Sequence, residues 1–111
     1  MAMLHVNHMI PFPVWKNNNL WNLLPSSVSV NAKKLDRIPS PEFIKKRSDA
    51  IVTYWDSMYE VYPKRFSREI NPALIGSPEK LPGWQAVARE RLGEKCEYLI
   101  NVLGYQPRIN P

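Results

Sequence analysis

Eleven prolines in 111 residues, against only four glycines, exclude long uninterrupted elements. Each proline lacks a backbone N–H and locks φ near about −65°, so it ends or bends whatever helix or inner strand it falls in. Pro11 and Pro13 force an extended, irregular loop, Pro25 closes the apolar run before it, and Pro63, Pro72 and Pro78 punctuate the second half. The chain therefore predicts several short elements joined by hard stops, within one domain or one compact part of a larger protein. Hydrophobic residues make up 44% and aromatics 11%, enough to bury a core. The margin of stability of a chain this short is small.

Between these stops the pattern reads as α+β. Residues 4–9 alternate weakly and predict a first strand. KNNN at 16–19 is turn chemistry, and Leu20–Leu24, with Trp21, predicts a second strand. Ser26 and Ser27 suit the cap of a short helix over about 28–35. A stronger helix opens at Pro41, with Ser40 as N-cap and Glu42 in the first turn. Its inward face is Ile44, Ile51, Trp55, Met58 and Tyr59, and Tyr62-Pro63 ends it. A shorter helix over Phe66–Ile75 places Phe66, Ile70 and Leu74 on one face, with Pro72 bending or splitting it. The last helix runs from about Trp84 to Leu103, with Trp84, Ala88, Leu92, Cys96, Leu99 and Leu103 inward and Gly104 as its stop. The tail QPRINP reads as frayed. The expected layout is a small ββα unit over 1–40 and a mainly helical segment over 41–111 that packs on it. Trp15, Trp21, Trp55 and Trp84 read as core anchors.

Fifteen Lys and Arg against ten Asp and Glu give a net charge of +5, which favours an anionic partner, nucleic acid first. With one cysteine, Cys96, neither an internal disulfide nor a cysteine zinc knuckle forms within the chain. Cys96 falls in the apolar face of the last helix and reads as a core thiol. No secretory signal follows Met1, and no segment has the apolar length of a membrane span. The expected setting is cytoplasmic, with no membrane partner.

The residues that carry chemistry lie in LHVNHMIPFPVWKNNNLWNLLPSSVSVNAKKLD, residues 4–36. Phosphodiester hydrolysis needs an activated water and a means of neutralising charge on the phosphorane-like transition state. A neutral imidazole serves the first need and one hard divalent cation the second. A strand puts Asn7 and His8 on opposite faces. One can face a metal and the other the attacking water if the loop after His8 turns the backbone. Asn31 can bring its amide oxygen to the same ion, and Asn22 can hydrogen-bond the loop after His8 and so fix the ring.

NHMIPFPVWKNNNLWNLLPSSVSVNAKKLDRIPS resembles the HNH endonuclease family, the ββα-metal fold, and especially members with DHxIPxS, NDLWNLLP and VNxxKxDRLPS. The spacing from His8 to Asn22 to Asn31 is similar to that of the HNH domain of RNA-guided CRISPR nucleases. The specific motif covers roughly a third of the chain, and RSDAIVTYW also resembles such proteins. The resemblance implies that His8 is the general base, Asn22 the middle structural asparagine of the catalytic unit, Asn31 the final metal ligand and Lys34 the lysine of NxxK. Asn7 falls on the first metal ligand, where the family has aspartate or sometimes histidine. The implied cofactor is one divalent ion, Mg²⁺ first, with Mn²⁺ or another divalent ion as alternatives. Lys33, Lys34 and Arg37 adjoin the site and are the expected phosphate contacts; Lys45-Lys46-Arg47 and Lys64-Arg65 are further basic runs.

The expected function is metal-dependent cleavage of nucleic acid, DNA ahead of RNA. Asparagine at position 7 keeps a carbonyl oxygen and loses the negative charge, which weakens the hold on a hard cation. Three outcomes stay open: a weakened nuclease, one that recruits another ligand such as His5, or a nucleic-acid-binding or interaction module on an inactive HNH scaffold. The first strand begins almost at Met1, which predicts either the C-terminal part of a longer nuclease or a natural remnant. Self-association is a further expectation.

Overall fold

The computed structural model describes residues 6–11, 14–15, 17–25, 37–77 and 81–108. The helix expected over 28–35 lies outside these residues, as do Asn31, Lys33 and Lys34. The described part is a helix-dominated α+β fold. Strand β1 (Val6–His8) pairs antiparallel with β2 (Leu23–Pro25), in the register Val6 with Pro25, Asn7 with Leu24 and His8 with Leu23. A 3₁₀ turn over Leu20–Asn22 leads directly into β2. Strand β3 (Ile38–Pro39) precedes four helices: α1 (Pro41–Lys46), α2 (Ser48–Val61), α3 (Pro63–Ile70) and α4 (Trp84–Asn101). A π-helical turn, Asn71–Ile75, continues α3, and β4 (Pro107–Arg108) closes the chain against β3 in parallel.

Local chemistry accounts for most helix ends. The Ser40 hydroxyl accepts the Phe43 N–H at 3.0 Å, Pro41 takes the first helical position, and Glu42 sits in the first turn. The single helix predicted from Pro41 to Tyr62 is divided at Arg47, whose φ of −98° and ψ of 10° are not helical. Ser48, at the start of α2, is buried, and its hydroxyl accepts a bond from Arg89 of α4 at 2.7 Å. Pro72 has no N–H to offer the Arg68 carbonyl, so the helix widens instead of ending. The Gly76 N–H reaches back five residues to the Asn71 carbonyl, with Gly76 at φ 75°.

Two expectations about edges are corrected. The run Leu20–Leu24 is not one strand: its first three residues form a tight turn, with the Asn22 N–H donating to the Asn19 carbonyl at 2.9 Å. Two of its backbone groups, the Leu20 N–H and the Trp21 carbonyl, are met by the side chains of Glu69 and Trp55 instead of by a strand partner. The tail is not frayed through Arg108. Gly104, at φ 80°, reverses the chain after α4, the Ile38 N–H donates to the Gln106 carbonyl at 2.9 Å, and Pro107 lies opposite Ile38. The reversal also exposes Leu103, predicted to face inward, because α4 ends at Asn101.

One core joins the two halves. Met9, Ile10, Leu20 and Trp21 belong to the same buried cluster as Trp55, Phe66 and Leu92. Trp84 of α4 packs its ring 5.5 Å from Tyr59, 6.0 Å from Phe66 and 6.3 Å from Trp55, so one indole ties three helices together. Trp15, half-buried, lies against Trp21 at 5.3 Å and under the Lys95 ammonium at 4.4 Å. Among the described residues no helix is long and apolar enough to cross a membrane.

Cys96 is fully buried on α4, and burial pushes its thiol from 9.0 up to about 12, against a smaller lowering by Lys95. A raised value in the folded state means that folding favours the protonated thiol. That contribution is complete below pH 9.0 and is lost as pH rises toward about 12. An aromatic disulfide reagent at pH 8 should therefore react roughly a hundredfold or more slower with the folded protein than with the urea-unfolded chain. Rapid labelling without unfolding would contradict the buried thiol.

Candidate functional site

The candidate site is the end of β1 and the loop that follows it. His8 closes β1 and is partly exposed, while Met9 and Ile10, the next two residues, are buried. Pairing with the β2 side continues past His8, because the Met9 N–H donates to the Asn22 carbonyl at 2.7 Å. Pro11 then starts a turn in which Val14 and Trp15 both donate to its carbonyl. The chain returns through Asn17–Asn19, where the Asn17 side-chain oxygen accepts the Asn19 N–H at 2.9 Å. The strand end, loop and return form a closed lobe with His8 at its edge.

Asn22 holds that lobe together. It is fully buried, and its side chain makes three hydrogen bonds. Its oxygen accepts the Ile10 N–H at 2.9 Å, and its amide donates to the Ile10 carbonyl at 3.2 Å and to the Asn17 carbonyl at 3.0 Å. A buried primary amide is the side chain suited to this task, since it offers an acceptor and two donors at one site. Asn22 sits on the 3₁₀ turn and not on the second strand, and its amide reaches the loop after His8 from there.

His8 has a partner that the sequence reading does not single out. Its Nε2 lies 2.7 Å from the Asn18 side-chain oxygen. An amide oxygen only accepts, so in this pair Nε2 is the donor, which in a neutral ring corresponds to the tautomer with its lone pair on Nδ1. That is the form in which an imidazole takes a proton from water at Nδ1 while its other nitrogen is held. In the sequence Asn18 reads as one of three turn-forming asparagines. The Asn17 side chain caps the turn, and no sequence signal separates Asn18 from its two neighbours.

The same lobe is anchored from outside by a second residue absent from the sequence reading. Glu69 of α3 accepts the Leu20 N–H with one carboxylate oxygen at 2.7 Å and the Arg65 Nε–H with the other at 3.0 Å. Trp55 of α2 donates its indole N–H to the Trp21 carbonyl at 3.0 Å.

Of the sequence-derived site residues, His8 and Asn22 are brought to one lobe. Asn7 lies beside His8 on β1, opposite Leu24 in the backbone register. Arg37 is exposed just before β3. Asn31, Lys33, Lys34 and His5 lie outside the described residues. Among the described residues no three His, Cys, Asp or Glu side chains gather to hold a metal. The ligands implied by the resemblance, Asn7 and Asn31, are two neutral amides without a carboxylate, a donor set that fits a hard divalent ion only weakly. No model of a known protein family matches the chain, and no curated protein or solved structure matches it.

Replacing Asn22 tests the lobe directly. Asn22→Ala orphans the buried Ile10 N–H and carbonyl and should cost about 3 kcal/mol of unfolding free energy. Asn22→Asp, at neutral pH, turns carboxylate oxygens toward the two carbonyls that now receive an N–H, and should cost at least as much. Urea denaturation followed by tryptophan fluorescence measures both. A loss below about 1 kcal/mol in both variants would mean that the lobe is held by other contacts.

Proposed function

We propose that this chain is a nucleic-acid phosphodiesterase of the ββα-metal HNH type, acting on DNA in preference to RNA in a cytoplasmic setting, with His8 as general base. The observation that carries the reading is the His8–Asn18 pair at the edge of a lobe held by Asn22. The antiparallel β1–β2 pair supports this reading, and so does the resemblance of residues 7–40.

In this reading Nδ1 of His8 takes the proton of the attacking water. The Nε2–H, already donated to Asn18, keeps the ring oriented and gains strength as the imidazolium forms. Asn22 acts on the reaction only by fixing the backbone that follows His8. Asn7 and Asn31 would hold one divalent ion, Mg²⁺ first, and that ion would supply charge neutralisation at the phosphate. The net charge of +5 supports backbone-directed, salt-sensitive binding, with Lys33, Lys34 and Arg37 as proposed phosphate contacts.

A second reading has its own observation. The amide-only ligand set at Asn7 and Asn31 favours a scaffold that binds nucleic acid and cleaves it slowly or not at all. Nicking of supercoiled plasmid in Mg²⁺ or Mn²⁺ separates the two. For the nuclease, His8→Ala abolishes nicking and Asn7→Asp raises it about tenfold or more through tighter ion binding. For the binding module, the parent protein retards the plasmid on a gel and does not nick it. Nicking that survives His8→Ala would remove His8 from the chemistry.

Where nicking is measurable, Asn18→Ala should lower kcat roughly tenfold to a hundredfold with little change in KM, the expected loss for one hydrogen bond to a charged group. Asn18→Asp keeps the acceptor and should retain activity. Equal loss in both variants would show that Asn18 serves only the shape of the turn.

A further inference from the structure

A second surface is separate from the His8 lobe. Where Tyr62 alone links α2 to α3, and Pro72 widens the end of α3, the molecule opens into a cleft of about 870 Å³. Its size is that of pockets that hold small organic ligands, about 300–1,000 Å³. Lys64 and Arg68 line it from one face of α3, four residues apart. Like charges at this spacing repel along a helix. Neither has an ion-pair partner among the described residues, whereas their neighbour Arg65 is paired with Glu69 at 3.0 Å. The third basic residue of the helix is thus committed to the fold, and two are presented to the cleft.

The rest of the lining is of two kinds. Ser67 lies between the two cations in sequence; its oxygen accepts a bond from the Asn71 amide at 3.0 Å, which leaves its O–H to act as donor. Tyr59, Pro63 and Pro72 supply flat, apolar walls. Two cations and a hydroxyl donor suit a phosphate, and an aromatic ring with two prolines suits the face of a planar heterocycle. We propose that this cleft binds a phosphorylated nucleoside, with phosphate on Lys64 and Arg68 and the base against Tyr59 and the prolines. The site uses neither His8 nor a metal, so it stands or falls separately from the cleavage reading. The ligand is either a free nucleotide or one unit of a single strand.

The test is a titration of the ¹⁵N-labelled full chain in EDTA with 2′-deoxyadenosine 5′-monophosphate, deoxyadenosine, inorganic phosphate and a 5′-phosphorylated single-stranded pentanucleotide. The mononucleotide should shift amides within 59–77 saturably, and bind about tenfold or more tighter than either deoxyadenosine or phosphate alone. Tighter binding of the pentanucleotide marks a strand as the ligand, and equal binding marks a free nucleotide. Lys64 and Arg68 are exposed, so Lys64→Ala/Arg68→Ala should keep the parent's thermal unfolding while weakening binding about a hundredfold. His8→Ala should bind as the parent does. Shifts centred elsewhere, unchanged binding in the double variant, or phosphate alone binding as tightly as the nucleotide would each overturn the proposal.

Discussion

The fold depends on how three residues, Leu20–Asn22, have their polar groups satisfied. A 3₁₀ turn of one cycle leaves most of its backbone donors and acceptors without internal partners, and this one is buried. Three of them are met from different directions, while the buried Trp21 indole N–H has no hydrogen-bond partner among the described residues. The Leu20 N–H goes to the Glu69 carboxylate on α3, the Trp21 carbonyl to the Trp55 indole on α2, and the Asn22 carbonyl to Met9 on the strand side. The Asn22 side chain then brackets Ile10. The turn is therefore the junction at which the strand pair, the loop after His8 and two helices are connected. A buried group left unmet at this point costs the desolvation of that group, so the arrangement is all or none at each contact.

The junction explains why so small a molecule can present a defined loop. Residues 9–19 carry two prolines and three asparagines. Asn22 ties the outgoing chain at Ile10 to the returning chain at Asn17. His8 inherits that order without being part of the core, and Asn18 holds its ring from the return side. On the opposite side, the aromatic contacts of Trp84 with Tyr59, Phe66 and Trp55 hold the helices that carry Trp55 and Glu69. Burial and polar pairing thus support each other, the first supplying most of the free energy and the second choosing one arrangement.

Features set within a few residues are legible without the structure. Ser40, Pro41 and Glu42 announce a helix start because cap, ring and dipole act over one turn. Phe66, Ile70 and Leu74 announce a buried face because their spacing matches the helical period, and all three are buried. The sequence also predicts that Asn22 bonds the loop after His8, and its amide does bond Ile10. The same reading takes Leu20–Leu24 for a strand, since a short apolar run before a proline has no period to distinguish strand from turn. It takes QPRINP for a loose tail, since nothing local reveals that Ile38 lies beside Pro107.

By itself the sequence determined where elements stop, which faces are apolar, and that a histidine is followed by a loop rich in turn-forming residues. Prolines, caps and periodicity act through the nearest few residues, and those are written in order along the chain. Only the tertiary structure decided that Glu69 meets Leu20 across 49 positions, that Trp55 meets Trp21, that Asn18 and not its neighbours reaches His8, and that Lys64 and Arg68 share a cleft while Arg65 does not. Each of the three hydrogen bonds needs two groups to coincide to within about 0.5 Å. That coincidence is set by the summed geometry of every element between the partners.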